Sequence, residues 1–475
     1  MKTSARQSLV VSLLTAAALL AGCAPALRQA PTEAKTELPA TWVYQAEGAA
    51  ATIAAQWWQA LGDAELNRYV TAALARNANL QAAGTRVAAA RAQLAAADAA
   101  LQPTLGLAAS TGVTHTLTAA GITTSRTAQP QLQASWEADV WGRLADKTQA
   151  ADWQYRASQA DRDAVALTVA ATTAQTYVDL LAREAQLAQT RQTLQTRTEA
   201  VKLARDQESV GYSSQLQVSQ AQAELESVQQ QIPALELAIA RQYNALQLLA
   251  GDVPARRDTA ASGDAFAALH MPAVPVSLPS ELLRRRPDLV QAELQLAASD
   301  ANLRASRAAY LPQVSLSASA GRLFANALGY NPINVWSLGG SVLAPLLDGG
   351  RLDAQYDAAT AQRDQAAFAY RSAVLTALND VENALVGVER LQTQMQTAER
   401  RRAVLAQTLR YAKDRYEAGY ASYLEQIDAQ RNLFQAEIEL INLRQSQLDN
   451  QIALYRALGG GWQADGLVPV AQATH

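Results

Sequence analysis

Three histidines and one cysteine are the only imidazoles and thiol available for ligation or nucleophilic chemistry in this chain. His115, His270 and His475 lie far apart and lack the short spacings at which imidazoles share a metal ion. Serine and aspartate are plentiful, but no spacing pairs a nucleophile with a base. No strand-to-helix glycine loop could cradle a phosphate, and no P-loop lysine motif is present. The residues therefore predict no catalytic site, no metal site and no cofactor: this is not the sequence of an enzyme. Basic residues number 40 against 43 acidic ones, with no long basic run, so a nucleic-acid partner is not expected either. What the chain does must follow from how its elements are arranged.

Cys23 is informative through its surroundings. Lys2 and Arg6 precede an apolar stretch from Leu9 to Leu20, and Leu20-Ala21-Gly22-Cys23 closes it. This is the layout of a secretory signal, too short and wrongly flanked for a permanent span. Its ending looks like a bacterial lipobox, which would make Cys23 the lipidated first residue of the mature chain; the plainer alternative is an ordinary signal with an incidental cysteine. Ala24 is not the aspartate that often retains lipoproteins at the inner membrane, so lipidation points to outer-membrane lipid. Beyond residue 23 no apolar run approaches the ~20 residues that a membrane helix needs. Any further crossing would have to be made by strands.

Hydrophobic residues make up 49% of the chain but aromatic residues only 6%. Alanine and glutamine dominate long stretches, which favours helices packed thinly over a thick core. The chain also repeats itself at an offset of about 208 residues. Asn79-Leu80 matches Asp288-Leu289, Pro103 matches Pro312, and Trp141-Gly142-Arg143-Leu144 matches Gly349-Gly350-Arg351-Leu352. Val210-Gly211-Tyr212 matches Ala418-Gly419-Tyr420, and Leu249-Ala250-Gly251 matches Leu458-Gly459-Gly460.

Each copy predicts one order of elements. A helix of about 35 residues ends at Pro103 or Pro312. Two short strands follow, around 104–112 and 130–140, then around 313–321 and 334–344 in the second copy, joined by polar loops. Leu132, Ala134, Trp136 and Ala138 alternate with Gln131, Gln133, Ser135 and Glu137, the period-2 pattern of a strand with unlike faces. A very long helix then covers about 144–208 or 351–416, roughly 100 Å at 1.5 Å per residue. It turns at Gly-Tyr and is followed by a returning helix. Leu180, Leu187, Leu194 and Val201, then Leu225, Ile232, Ile239 and Leu246, recur every seven residues, as do Leu391, Ala398, Leu405 and Ala412 in the second copy. Sustained heptads mean coiled-coil packing; these stripes are wall, not ligand site. Pro233 should kink its helix or mark a change of packing.

Four strands cannot close a barrel, and an open sheet edge cannot face lipid with its backbone groups unsatisfied. One chain therefore cannot insert alone. Two would give eight strands, whose side chains fill the lumen; three would give twelve and leave a channel. The fold class expected is mainly α, with a β-barrel portion completed only by oligomerisation.

At this point the chain resembles a known family, the outer-membrane factors of TolC and OprM type, over essentially all of its mature length. The most specific stretch is Leu278-Pro279-Ser280-Glu281-Leu282-Leu283-Arg284-Arg285-Arg286-Pro287-Asp288-Leu289 with Ala292-Glu293. Others are Ser135-Trp136-Glu137-Ala138-Asp139-Val140-Trp141-Gly142-Arg143, Pro345-Leu346-Leu347-Asp348-Gly349-Gly350-Arg351, and Trp57-Trp58 with Asp63 and Leu66. The resemblance implies a homotrimer with a twelve-stranded outer-membrane barrel and a helical periplasmic tunnel. It also implies docking to a periplasmic adaptor and to an inner-membrane pump; the lipobox points to the OprM-like branch and hence to a proton-driven resistance-nodulation-division pump exporting small molecules such as drugs. A protein-secretion or metal-efflux system, or a trimeric coiled-coil adhesin, are the alternatives.

The resemblance also places candidate functional residues. Gly211, Tyr212, Gly419 and Tyr420 are plain turns on their own chemistry, and the family adds that these tips meet the adaptor. Leu424 and Asp428 are four apart and share a helix face; the matching family residues narrow the periplasmic entrance. The plainer reading of Asp428 is an ion pair with Arg431. Gln220 stands where the first copy would carry Asp428, so the hairpin itself does not require that charge. Arg284-Arg285-Arg286-Pro287-Asp288 reads as a helix start rather than an anion site, and Asp348-Gly349-Gly350 as a strand-to-helix swivel. The expected divisions are a signal peptide over 1–22, an anchor and linker segment over 23–65, a first repeat over 66–255, a linker over 256–279, a second repeat over 280–461 and a tail over 462–475.

Overall fold

The computed structural model describes residues 24–44, 53–119, 121–256, 264–270, 279–326 and 332–463. Cys23, the signal segment and His475 lie outside the described residues.

The first repeat opens with α1 (Ala64–Arg76) and α2 (Ala78–Ala99). The single helix expected here is two, and Asn77 is the reason. Its backbone N–H still closes α1 on the Ala73 carbonyl, while its Oδ1 accepts from the amides of Asn79 and Leu80 at 3.0 and 3.3 Å. One residue thus ends one helix and caps the next. In the second repeat the same break falls at Arg286, between a short turn (Leu282–Arg285) and α5 (Pro287–Ala308). There Pro287 forces its predecessor out of helical geometry, and Arg286 adopts φ −103°, ψ 120°.

The strands β1 (Thr104–Thr118), β2 (Gly121–Ala138), β3 (Gln313–Ala325) and β4 (Ile333–Leu343) form one antiparallel sheet in the order β1-β2-β3-β4. The first hairpin is longer than expected. Val113 to Thr118 and Ile122 to Gln129, read as polar loop, continue the ladder to the Thr118–Gly121 pair. These threonines are β-branched and extend the strand instead of ending it. Register aligns the faces. Leu107, Leu132, Ala320 and Trp336 make one row, and Leu105, Ala134, Ala318 and Leu338 another. The intervening row is Gly106, Gln133, Ser319 and Ser337. One face is thus apolar and largely exposed, the lipid-facing pattern of a membrane barrel. β1 and β4 remain as unpaired edges among the described residues.

At the swivels into the long helices, Asp139 accepts from the amides of Leu144 and Ala145, and Asp348 from those of Gly350 and Leu352. Gly349 and Gly350 have φ of 68° and 82°, which a side chain would oppose. The long helices α3 (Arg143–Ser209) and α6 (Arg351–Glu417) each have 67 residues, within one residue of the expected limits. Each is followed by a returning helix, α4 (Gln215–Leu249) and α7 (Tyr423–Ala457). Pro233 lies inside α4, which is assigned as helix on both sides of it.

The chain divides into two compact units that do not follow the repeats. One takes the chain to Thr36 with Arg86–Gln159 and Gln291–Ser372; the other takes Glu37–Thr85, Ala160–Val290 and the chain from Ala373. The first unit holds the sheet and a small cluster of Leu303, Tyr356 and Ala359 under Tyr310. Its N-terminal segment lies on α6: Tyr356 Oη donates to the Ala26 carbonyl at 2.7 Å, and the Arg28 guanidinium sits 3.0 Å from Asp357.

The second unit holds the main core, in which Trp57, Trp58, Leu66 and Val70 meet Tyr177, Val178 and Leu181 of α3, Leu246 of α4, and Leu448 and Ile452 of α7. Trp57 stacks on Tyr455 at 5.1 Å. The heptad stripe is buried at Leu180, Leu187, Val201 and Leu246 and only half-buried at Leu194 and Ile239. One window of α3 is apolar enough by composition to cross a membrane, contrary to the expectation that no such run exists; half of it is buried, and its residues supply this core.

Candidate functional site at the hairpin tips

Both hairpins turn through the same local device. Gly211 has φ 80° and Gly419 φ 77°. In the first tip the amides of Gly211 and Tyr212 return to the carbonyls of Glu208 and Gln207 at 2.9 and 2.8 Å. In the second, those of Gly419 and Tyr420 return to Tyr416 and Arg415 at 3.0 and 2.8 Å. This is the Schellman ending, which satisfies the last carbonyls and needs a left-handed residue. Tyr212 is 87% and Tyr420 80% exposed, so neither side chain contributes to the core.

The two tips then diverge. Ser214 and Gln217 form a reciprocal capping box at the start of α4. Ser422 has no such side-chain bond; instead Arg415 reaches Glu425 at 2.9 Å and donates to the Tyr420 carbonyl. Behind the tips, Val201, Ala204, Val218 and Ala221 of the first hairpin pack with Tyr423 and Ile427 of the second.

Leu424 and Asp428 lie on the first turns of α7 and are both exposed, Leu424 at 48%. The ion pair anticipated for Asp428 is present, with Arg431 at 3.7 Å. Arg431 is itself held elsewhere: its Nε donates to Glu224 Oε1 at 2.9 Å, and a second, very short contact joins the same groups. The hydrogen bond to Glu224 is the main cause of a raised Arg431 pKa, with the Glu224 and Asp428 charges adding to it against a burial effect that lowers it. Glu224 is buried on α4, so a salt link runs from the first hairpin to the second beside the exposed Leu424–Asp428 face.

Sequence reasoning missed Glu224 and the buried Arg197, although the signal was there. Arg197 is four residues before Val201 on the heptad stripe, and a charge on a buried stripe calls for a compensating group. It likewise saw a helix start in Arg286 but not its ties. Arg286 grips Asp288 through two bonds of 3.0 and 2.7 Å, reaches Asp380 at 3.2 Å and donates to the Ala457 carbonyl. Among the described residues no cluster of His, Cys, Asp and Glu could hold a metal ion.

The family model described as outer membrane efflux protein matches residues 69–252 and 278–460, one match for each repeat. The chain is 32% identical to the pyoverdine export outer membrane protein OpmQ of Pseudomonas aeruginosa, over 96% of this chain and 97% of that one. It is 31% identical to the toluene efflux pump outer membrane protein TtgC of Pseudomonas putida, over 95% and 96%. Among solved structures it resembles the open state of the Neisseria gonorrhoeae MtrE outer membrane channel, with a TM-score of 0.79 and 28% identity over 93% of this chain and 99% of that one. Sheet, paired long hairpins and duplication agree with these likenesses: the chain belongs to the outer membrane efflux protein family and is a trimeric outer-membrane channel that works with an adaptor and an inner-membrane pump.

Proposed function

We propose that this channel is a passive exit duct for small organic molecules, fed by a proton-driven resistance-nodulation-division pump and gated at the start of α7 by Leu424 and Asp428. The observation that carries the gate is the exposed Leu424–Asp428 face beside the Arg431–Glu224 link, in the one hairpin whose counterpart has Gln220 instead of an acid. Three copies around an axis would gather three apolar side chains and three carboxylates into a constriction. The Arg431–Glu224 bond holds the second hairpin to the first and so resists widening. The relatives named above, which export pyoverdine and toluene, support an organic cargo. No catalytic chemistry enters this reading; the energy comes from the partner pump.

Intact cells lacking their own duct and expressing Leu424→Ala or Asp428→Ala should become permeable to a bulky antibiotic that normally fails to enter. Trimer yield should stay normal on an unheated gel. Permeability equal to that of the parent in both variants would remove the gate reading. Copurification after cross-linking identifies the pump class, and recovery of an ATPase in place of a proton-driven transporter would reject that part.

A further inference from the structure

We propose that the polar cavity among α3, α6 and α7 binds a small inorganic anion on the Arg197 guanidinium. The cavity has a volume of about 250 Å³ and is lined by Gln189, Gln192, Arg197, Arg402, Gln430 and Glu437, among others. Arg197 is only 4% exposed. Among the described residues no group hydrogen-bonds to its guanidinium or forms an ion pair with it, and its Nε is wholly buried without a partner. Arginine does not escape such a position by losing its proton. A buried guanidinium without a hydrogen-bonded partner is costly, so a bonded counter-ion or strong solvation is called for.

The protein's own carboxylates are already engaged. Glu224, the acid that acts most strongly on Arg197, is held by Arg431. Glu437 accepts from Gln189 Nε2 at 2.6 Å and from Arg402 at 3.2 Å. Each nearby carboxylate is thus bonded to another arginine, Glu224 and Asp428 to Arg431 and Glu437 to Arg402, and none is bonded to Arg197. Gln430, on the same wall, has a buried Oε1 without a partner. A half turn of that amide presents its NH2 group as a further donor. The cavity is several times the ~30 Å³ share of one water, roomy enough for a halide or a compact oxyanion with its remaining hydration. Water would satisfy the Nε donor, whereas an anion would in addition bring a counter-charge into bonding distance of the guanidinium. An anion here would tie α3 of the first hairpin to α6 and α7 of the second.

Bromide is a suitable probe because it scatters anomalously. Crystals of the full-length trimer grown in sodium bromide should show an anomalous peak within hydrogen-bond reach of the Arg197 guanidinium in each protomer. Sodium bromide should also raise the unfolding temperature of the detergent-purified trimer in a saturable way. Arg197→Gln should shift the midpoint of that titration upward by at least tenfold, and Arg402→Gln by a smaller factor. A cavity holding water only, a carboxylate of a neighbouring copy seated on Arg197, or identical titrations for the parent and Arg197→Gln would each overturn the proposal. If Arg197→Gln fails to assemble, the diffraction result on the parent decides alone.

Discussion

Asp449 on α7 shows how a single buried group can set the pH response of the helical wall. Its Oδ1 is buried without a partner. Burial first, and the neighbouring Asp179 charge second, push its carboxyl from the ordinary 3.8 up to about 6. Asp179 itself accepts from Gln445 at 2.8 Å and pairs with Arg183 at 3.2 Å. Between those two pH values the folded chain holds a proton that the unfolded chain releases. The stabilisation is full below the ordinary value and is lost as pH rises through about 6. Asp449→Asn should therefore unfold at a higher temperature than the parent at pH 7.5, with the difference vanishing near pH 4; a constant difference across that range would argue against the assignment.

Arg286 works in the opposite sense. Burial would lower its pKa, but the hydrogen bonds and charges of Asp288, then Asp380, raise it overall. Arg286→Ala leaves both acids without their shared cation and should cost about 2–3 kcal/mol, less than for a fully buried pair because the acids are partly exposed. Denaturant unfolding of the purified protein measures it.

At the scale of elements, the hairpins and the sheet carry different tests. The tips expose Val210, Tyr212 and Tyr420 on turns that the Gly211 and Gly419 geometry already stabilises. Charged substitutions beside both glycines, such as Val210→Asp with Ala418→Asp, should leave folding intact and abolish export if the adaptor docks there. Export at the parental rate in a drug-efflux assay would exclude that docking. The sheet responds to the opposite change. Leu132 is central in the apolar row from Leu107 to Trp336, so Leu132→Arg places a cation on the lipid face and should cost about 2–4 kcal/mol if the row lies at mid-membrane. Reduced heat-resistant trimer on a gel reads that loss.

For the whole molecule, closure is the governing requirement. The outer edges of β1 and β4 are unpaired among the described residues, yet their apolar rows suit lipid, where unpaired backbone groups are prohibitively costly. Three copies convert six edges into a continuous ladder. Native mass spectrometry from detergent should show three chains, and chains kept monomeric should give no conductance in a planar bilayer.

Periodicity and repetition were enough to read the duplication, the limits of both long helices and the Gly-Tyr turns, because a helix face and a left-handed glycine are local properties of the chain. Local properties also misled: the Thr-rich stretch from Val113 to Thr118 looked like a polar loop, whereas pairing with Gly121 to Arg126 made it strand. The break at Asn77 was hidden because capping depends on which amide the side chain meets, not on composition. Leu424 and Asp428 could be placed on one face from their spacing alone. That Arg431 binds Glu224, that Arg286 gathers Asp288 and Asp380, and that Arg197 is buried without a partner were decided only by tertiary structure. Each depends on groups brought together from distant parts of the chain, where burial removes the water that would otherwise make such charges unimportant.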